Sequence, residues 1–370
     1  MSFFNKVNDK QKIILVSRIA VVSFLALMFY APKLWITAKD FPVIPLFDFI
    51  PIPHYPLDYI LAFLLIGLLI SFFIKPKKII GLSIVILYFY LAMVDQNRLQ
   101  PYFYQSVLII LTASYLRSSQ KNTTIVLHCL MLIFIATYFF SGIHKINANF
   151  DSVWKHAFTK HFSIFPETIR LYFIYSIPYI EAFIGLMLLF NKTRRIAVLL
   201  IITMHLGIVI LLLKFGYGYN VIPWNLQNIL SVYILFWNYK SNDPFAVFTQ
   251  YFNYKKAVII FLTFVLPTTN LFGFWDHLLS FSFFSAKLNY YYIELNDDKL
   301  IENLPKGVKK YIFDYNGKKI INLNDWAGDV NGVLLYPEDR VAKKTQRYLE
   351  SFSETKNSTK LVEYHHRKRD

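Results

Sequence analysis

Apolar and polar positions in this chain are grouped into long blocks. Nine mostly apolar runs stand near residues 13–31, 57–74, 79–94, 102–116, 124–143, 168–190, 195–214, 221–238 and 256–272, each bounded by polar or basic residues. About 20 apolar residues in a helix cross the hydrocarbon core of a bilayer, so these runs predict membrane-spanning helices. The third, fourth, seventh, eighth and ninth are short, which low tilt or interfacial residues accommodate. Arg18 falls inside the first run, where its long side chain can snorkel to the nearer headgroups. The loop FPVIPLFDFIPIPHYPLD carries too many prolines for a long helix and is expected to lie on the membrane surface.

Beyond Gly273 the pattern changes. NYYYIEL (289–295) and GVKKYIFDYNGKKIINL (307–323) read as strands around an Asn316-Gly317 turn, a strong hairpin signal. PEDRVAKKTQRYLESF (337–352) reads as an amphipathic helix, and the stretch after it as a disordered tail. The expected fold class is therefore an all-α polytopic membrane helical bundle of about nine spans with a small α+β C-terminal module. The domain division is 1–273 transmembrane, 274–352 module and 353–370 tail.

Composition supports the membrane class. The chain is 55% hydrophobic and 18% aromatic, more apolar surface than a soluble core of this size can hide. The net charge of +16 is spread along the chain: residues 286–370 hold 16 Lys+Arg against 13 Asp+Glu, and the remaining surplus lies between and beside the apolar runs. That distribution suits topology signals and anionic headgroups rather than a nucleic-acid-binding face. A single cysteine, Cys129, excludes an intramolecular disulfide and dithiol redox or zinc motifs. No small-residue cleavage site closely follows the first run, so it is expected to be retained.

With nine spans and a cytoplasmic N-terminus, the inside segments carry 14 Lys+Arg in short stretches, and the longer outside loops carry 8. The positive-inside rule is satisfied, and the C-terminal module is expected to be extracytoplasmic.

Four polar groups near membrane depth are candidates for chemistry, because such groups are expensive there. SGIHKINANF (141–150) ends a span with His144 and Lys145, which either anchor the helix or act at its edge; the small Ser141 and Gly142 admit a close neighbouring helix. DQNRLQPYFYQS (95–106) packs Asp95 and Arg98 into a short connection, either a plain polar hairpin or part of a site. His205 lies alone in an apolar run, as a core histidine or as a partner for a polar ligand. YGYNVIPWNLQNI (217–229) places Trp224 and Asn225 at a helix start, as an aromatic belt or as ligand groups. The topology sets the three loop motifs on one outer face, which favours a shared outward-facing pocket.

SGIHKINANF with its Gly-x-x-Lys element, DQNRLQPYFYQ, and a span histidine followed by an asparagine-bearing helix start together resemble the horizontally transferred transmembrane domain (HTTM) group over residues 79–238. The group includes vitamin-K-dependent γ-carboxylases. The wider pattern, with PTTNLFGFWDHLLSFSFFSAK (267–287), is similar to DoxX-like bacterial membrane proteins. The resemblance implies a reduced quinone as cofactor, with Lys145 in the position of a base; a lysine in a partly dry pocket loses its proton more easily. The chain lacks the carboxylases' large lumenal region and has Phe150 where a tryptophan is expected, so glutamate carboxylation itself is not implied.

Two functional expectations follow. The first is a bacterial inner-membrane protein whose outward pocket binds a quinone-like or lipid ligand for proton-transfer chemistry. In it Lys145 is the catalytic base, with His144, Asp95, Arg98, His205, Trp224 and Asn225 as binding residues and no metal. The second is a non-catalytic scaffold or accessory subunit of a redox or export system, in which the same groups tie helices together.

Overall fold

The computed structural model describes residues 7–216, 218–286, 290–355 and 357–364. Among the described residues the chain opens with nine α-helices: α1 (Asp9–Tyr30), α2 (Leu57–Ile74), α3 (Lys78–Val94), α4 (Pro101–Ser114), α5 (Gln120–His144), α6 (Ala148–His161), α7 (Glu167–Met187), α8 (Arg194–Phe215) and α9 (Ile222–Phe236). They are followed by α10 (Ala246–Thr249), α11 (Tyr254–Ile260) and α12 (Leu266–Asn270), with a π turn at Phe261–Val265 joining the last two. That widened turn stands just before Pro267, which has no N–H to give the carbonyl four residues back.

Among the described residues five helices are long and apolar enough to cross a bilayer: α1, α2, α5, α7 and residues 194–214 of α8. The expected count of about nine spans is not established. Helices do occupy the remaining positions, but α4 has 14 residues and α9 has 15. At 1.5 Å per residue these rise roughly 21–23 Å, short of a ~30 Å hydrocarbon core.

The chain forms two compact units, each counted over its described residues. The first comprises Met1–Leu27, Leu65–Tyr88 and Pro101–Ser285, and the second Met28–Leu64, Phe89–Gln100 and Ala286–Asp370. The units thus interleave in sequence.

In the first unit α5 is the central element: nearly all of its apolar length is buried. Its most extensive pairing is with α7, and two glycines set the approach. A Cβ on Gly142 would stand 2.3 Å from the Ala182 backbone nitrogen, and one on Gly185 would stand 2.7 Å from that of Phe139. The small residues noted in SGIHK do bring a second helix backbone against α5, as small residues do in membrane bundles. Gly142→Ala is expected to cost about 1–3 kcal/mol, because backbone must move to admit the methyl group. A denaturation midpoint in micelles that matches the wild type would show that the helices part without cost.

The second unit is built on an antiparallel sheet in the order β2-β3-β1-β4, with β1 (Tyr290–Leu295), β2 (Ile312–Tyr315), β3 (Lys318–Asn322) and β4 (Thr359–Tyr364). The β2–β3 hairpin turns at Asn316-Gly317, both at positive φ (51° and 75°), as the sequence suggested. Short helices α13 (Asp298–Asn303) and α14 (Lys306–Lys309) precede the hairpin, and α15 (Leu323–Asn331) and α16 (Asp339–Glu350) follow it. The expected amphipathic helix is α16, which buries Val341, Ala342, Thr345 and Leu349. The expected tail supplies a strand instead: β4 pairs with β1 from Tyr290↔Tyr364 to Leu295↔Thr359. The strand β1 is buried along most of its length and requires a partner on each edge, a non-local demand. Of the sequence expectations, Asn289 and the end of the tail (365–370) lie outside the described residues.

The proline-rich loop belongs to this unit. Trp326 of α15 donates its indole N–H to Asp40 O at 2.9 Å and packs on Phe41, with ring centroids 4.6 Å apart. Lys344 of α16 donates to Pro45 O (2.7 Å) and to Asp48 (2.5 Å).

Candidate functional site

Polar side chains within the first unit gather along α5. At its C-terminal end Lys145 Nζ donates to Glu181 Oε2 of α7 (2.5 Å) and to Ser141 Oγ one turn back (2.8 Å). Both partners of this ion pair are about nine-tenths buried. His144, in the last turn of α5, stacks on Phe140 with centroids 6.0 Å apart. One step along α5, Tyr138 OH meets His205 Nε2 of α8 at 2.9 Å, and His205 Nδ1 meets Asn225 Oδ1 of α9 at 2.6 Å. Asn225 uses its amide nitrogen on Val221 O, so its oxygen must accept. That assigns the proton to His205 Nδ1 and leaves Nε2 to accept from Tyr138 in the neutral imidazole. Glu181 and Lys145 both act electrostatically on His205, and Glu181 on Tyr138, so the two clusters are within each other's field.

A third cluster centres on Gln105 of α4. Its amide nitrogen donates to Thr137 Oγ1 (3.0 Å) and Asn228 Oδ1 (3.2 Å). Its oxygen accepts from Trp224 Nε1 (2.7 Å) and Gln227 Nε2 (2.9 Å). All four hydrogen-bonding positions of a buried amide are therefore filled, and α4, α5 and α9 are tied through one side chain. Gln105→Leu is expected to lower stability by about 2 kcal/mol, since it strands the Trp224 and Gln227 donors in an apolar interior. An unchanged unfolding midpoint in micelles would remove the hub from the stability account.

A fourth cluster lies toward the other end of α5. Lys256 Nζ of α11 donates to His128 Nδ1 (3.1 Å), Ala246 O (3.3 Å) and Gln250 O (2.6 Å), while His128 Nε2 meets Tyr239 OH at 2.7 Å.

Asp95 and Arg98 belong to the second unit. Asp95 caps the 3₁₀ turn Gln96–Arg98 through Asn97 N (3.2 Å) and pairs with Lys39 Nζ (2.9 Å), both side chains fully buried. Arg98 donates to Leu34 O (2.9 Å) and Leu91 O (2.8 Å) and lies over the Trp35 ring. Burial holds the Lys39 ammonium below its ordinary pKa, against the attraction of Asp95 and with the aid of Arg98. The rest of the motif reaches the C-terminal part of the same unit. Gln96 Oε1 accepts from Arg340 (2.6 Å), Asn97 Oδ1 from Tyr336 N (3.0 Å), and Gln100 donates to Leu334 O (3.3 Å).

Of the sequence candidates, then, Lys145 joins an ion pair near the His205–Asn225 bond, Trp224 serves the Gln105 hub, and Asp95 and Arg98 organise loops of the second unit. Glu181, Tyr138, Gln105, His128 and Lys39 are partners not singled out as site residues. Glu181 and His128 carried the same signal as His205, an ionisable side chain inside an apolar run (YIEAFIG and VLHCLML). Among the described residues no group of three or more His, Cys, Asp or Glu is arranged to hold a metal ion.

No curated protein and no solved structure matches this chain. A family model described as methylamine utilisation protein MauE matches residues 123–234, from α5 to α9. The matched stretch includes the Lys145–Glu181 pair and the Tyr138–His205–Asn225 line, and it leaves out Gln105, Asp95 and Arg98. The match covers under a third of the 370 residues. It describes neither the HTTM, γ-carboxylase nor DoxX-like groups. In this respect the chain is an integral membrane protein similar to a bacterial membrane-protein family.

Proposed function

We propose that this chain is a non-catalytic accessory membrane component serving methylamine utilisation in a bacterium. The observation that carries the reading is how the candidate polar groups are used. Lys145, His205, Asn225, Trp224, Asp95 and Arg98 all spend hydrogen bonds on in-chain partners, and the hub Gln105 has no bonding position left. Groups used this way hold helices and loops in register. The substrate class comes from the description of the matched family model. The charge distribution supports an inner-membrane protein with a cytoplasmic N-terminus and an extracytoplasmic C-terminus. Five spans and nine are both odd, so that placement of the ends is the same under either number. Deleting the gene should impair growth on methylamine, and restoring the wild-type chain should rescue it; undiminished growth of the deletion strain would sink the reading.

A second reading, quinone- or lipid-linked proton transfer with Lys145 as base in an outward pocket, is favoured by one observation. Lys145, Glu181 and His205 form a compact acid–base line within mutual electrostatic reach. Protein purified from membranes separates the two. The accessory reading expects no stoichiometric quinone in its lipid extract, whereas about one quinone per chain would transfer the conclusion to the second.

A further inference from the structure

Two consecutive spans end beside Phe162. The turn between α7 and α8 is short (188–193), so the start of α7 and the end of α8 reach the same membrane boundary. Phe162 caps the C-terminus of α6, and its carbonyl accepts from Arg170 Nη1 of α7 at 3.3 Å. Lys214, the last residue of the α8 span, places Nζ 5.7 Å from the centroid of the Phe162 ring. Lys160 occupies the last turn of α6.

Among the described residues these cations lack anions. Arg170 Nε is buried with no acceptor, and neither Lys214 nor Lys160 has a hydrogen bond or ion pair among the described residues. The neighbouring carboxylate, Glu167, is taken by Lys155 at 3.5 Å. Favourable interaction with the α6 dipole accounts for one Arg170 bond, but not for the idle remainder of its guanidinium or for Lys214. Next to the charges the surface turns apolar: Ile164 is 87% exposed and Tyr172 74%, with Phe165 and Ile169 between them in sequence also exposed. Unpaired cations at the end of two spans, bordered by exposed aromatic and aliphatic side chains, match an anionic amphiphile in both charge and depth.

We propose that Arg170, Lys214 and Lys160 form a site for the phosphate of an anionic glycerophospholipid, whose acyl chains run along Phe165, Ile169 and Tyr172. Arg170 supplies directional N–H donors, which suit phosphate oxygens, and the lysines act as point charges.

The full-length protein in neutral detergent, titrated with phosphatidylglycerol or phosphatidylcholine and weighed by native mass spectrometry, tests the site. Phosphatidylglycerol should be retained in preference. Lys214→Gln should weaken it about fivefold, and Lys214→Gln/Lys160→Gln about 25-fold, at the effect expected per basic residue near an anionic surface. Among the described residues neither lysine makes a hydrogen bond, and the Lys214–Phe162 contact is only a weak cation–π attraction at an exposed site, so both variants should stay close to the wild-type melting midpoint in lipid-free detergent. As a control, Lys240→Gln, in the connection that follows the C-terminus of α9, should bind as the wild type does. Equal retention of the two lipids, or unaltered phosphatidylglycerol binding by the double variant, would overturn the proposal. So would inorganic phosphate raising the melting midpoint as far as phosphatidylglycerol does, which would make this a site for the free anion.

Discussion

Lys145→Ala is expected to destabilise the first unit by about 3–5 kcal/mol, because it leaves the Glu181 carboxylate buried without its cation. A base acting only at the helix edge would be dispensable for folding; the ion pair with α7 instead ties Lys145 to stability. Desolvating two charges is costly, and attraction at 2.5 Å offsets the cost only while both partners are present. Lys145→Met/Glu181→Gln should therefore recover most of the loss, to within about 1–2 kcal/mol of the wild type. Unfolding midpoints of the three proteins in the same micelles decide the matter. A double variant no better than the single one would mean that Lys145 stabilises through something other than Glu181.

Asp95→Ala should be comparably severe in the second unit, at about 3–5 kcal/mol, since Lys39 is left as a fully buried ammonium. It also removes the cap on the Gln96–Arg98 turn, whose Asn97 and Gln96 hold Tyr336 and Arg340. A pH signature identifies the charge component. Burial already sets the folded pKa of Lys39 below 10.5, and loss of Asp95 removes the attraction opposing that shift. Between its folded pKa and 10.5 the unfolded chain binds the extra proton, so stability rises with pH in that window. The Asp95→Ala deficit should consequently shrink as pH is raised toward 10.5. A deficit constant from neutral to alkaline pH would place the damage in the lost cap instead.

Much of the architecture was legible in local pattern. The Asn316-Gly317 hairpin and the α16 helix depend on nearest-neighbour chemistry, namely positive φ at two turn residues and one apolar stripe. Strand β4 was not legible, because Thr359–Tyr364 sits among charged residues and is ordered by a partner more than sixty positions away. The same contrast runs through the site. His205 and Lys145 stood out as costly groups within or beside apolar runs, but Asp95 was grouped with Lys145 on the strength of a shared loop face. Its actual partner, Lys39, lies just before the stretch read as a surface segment and was not singled out.

The sequence by itself determined the membrane class, because long apolar blocks bounded by basic residues have few alternatives in water. It also determined where α5 ends and that Gly142 invites a neighbour. Only the tertiary structure decided which polar group answers which. Ion pairs and amide hubs form between residues tens to hundreds of positions apart, and each buried donor accepts whichever partner packing delivers. That choice makes Lys145 a partner of Glu181, Gln105 the tie between three helices, and the DQNRLQ motif the fastening of the second unit.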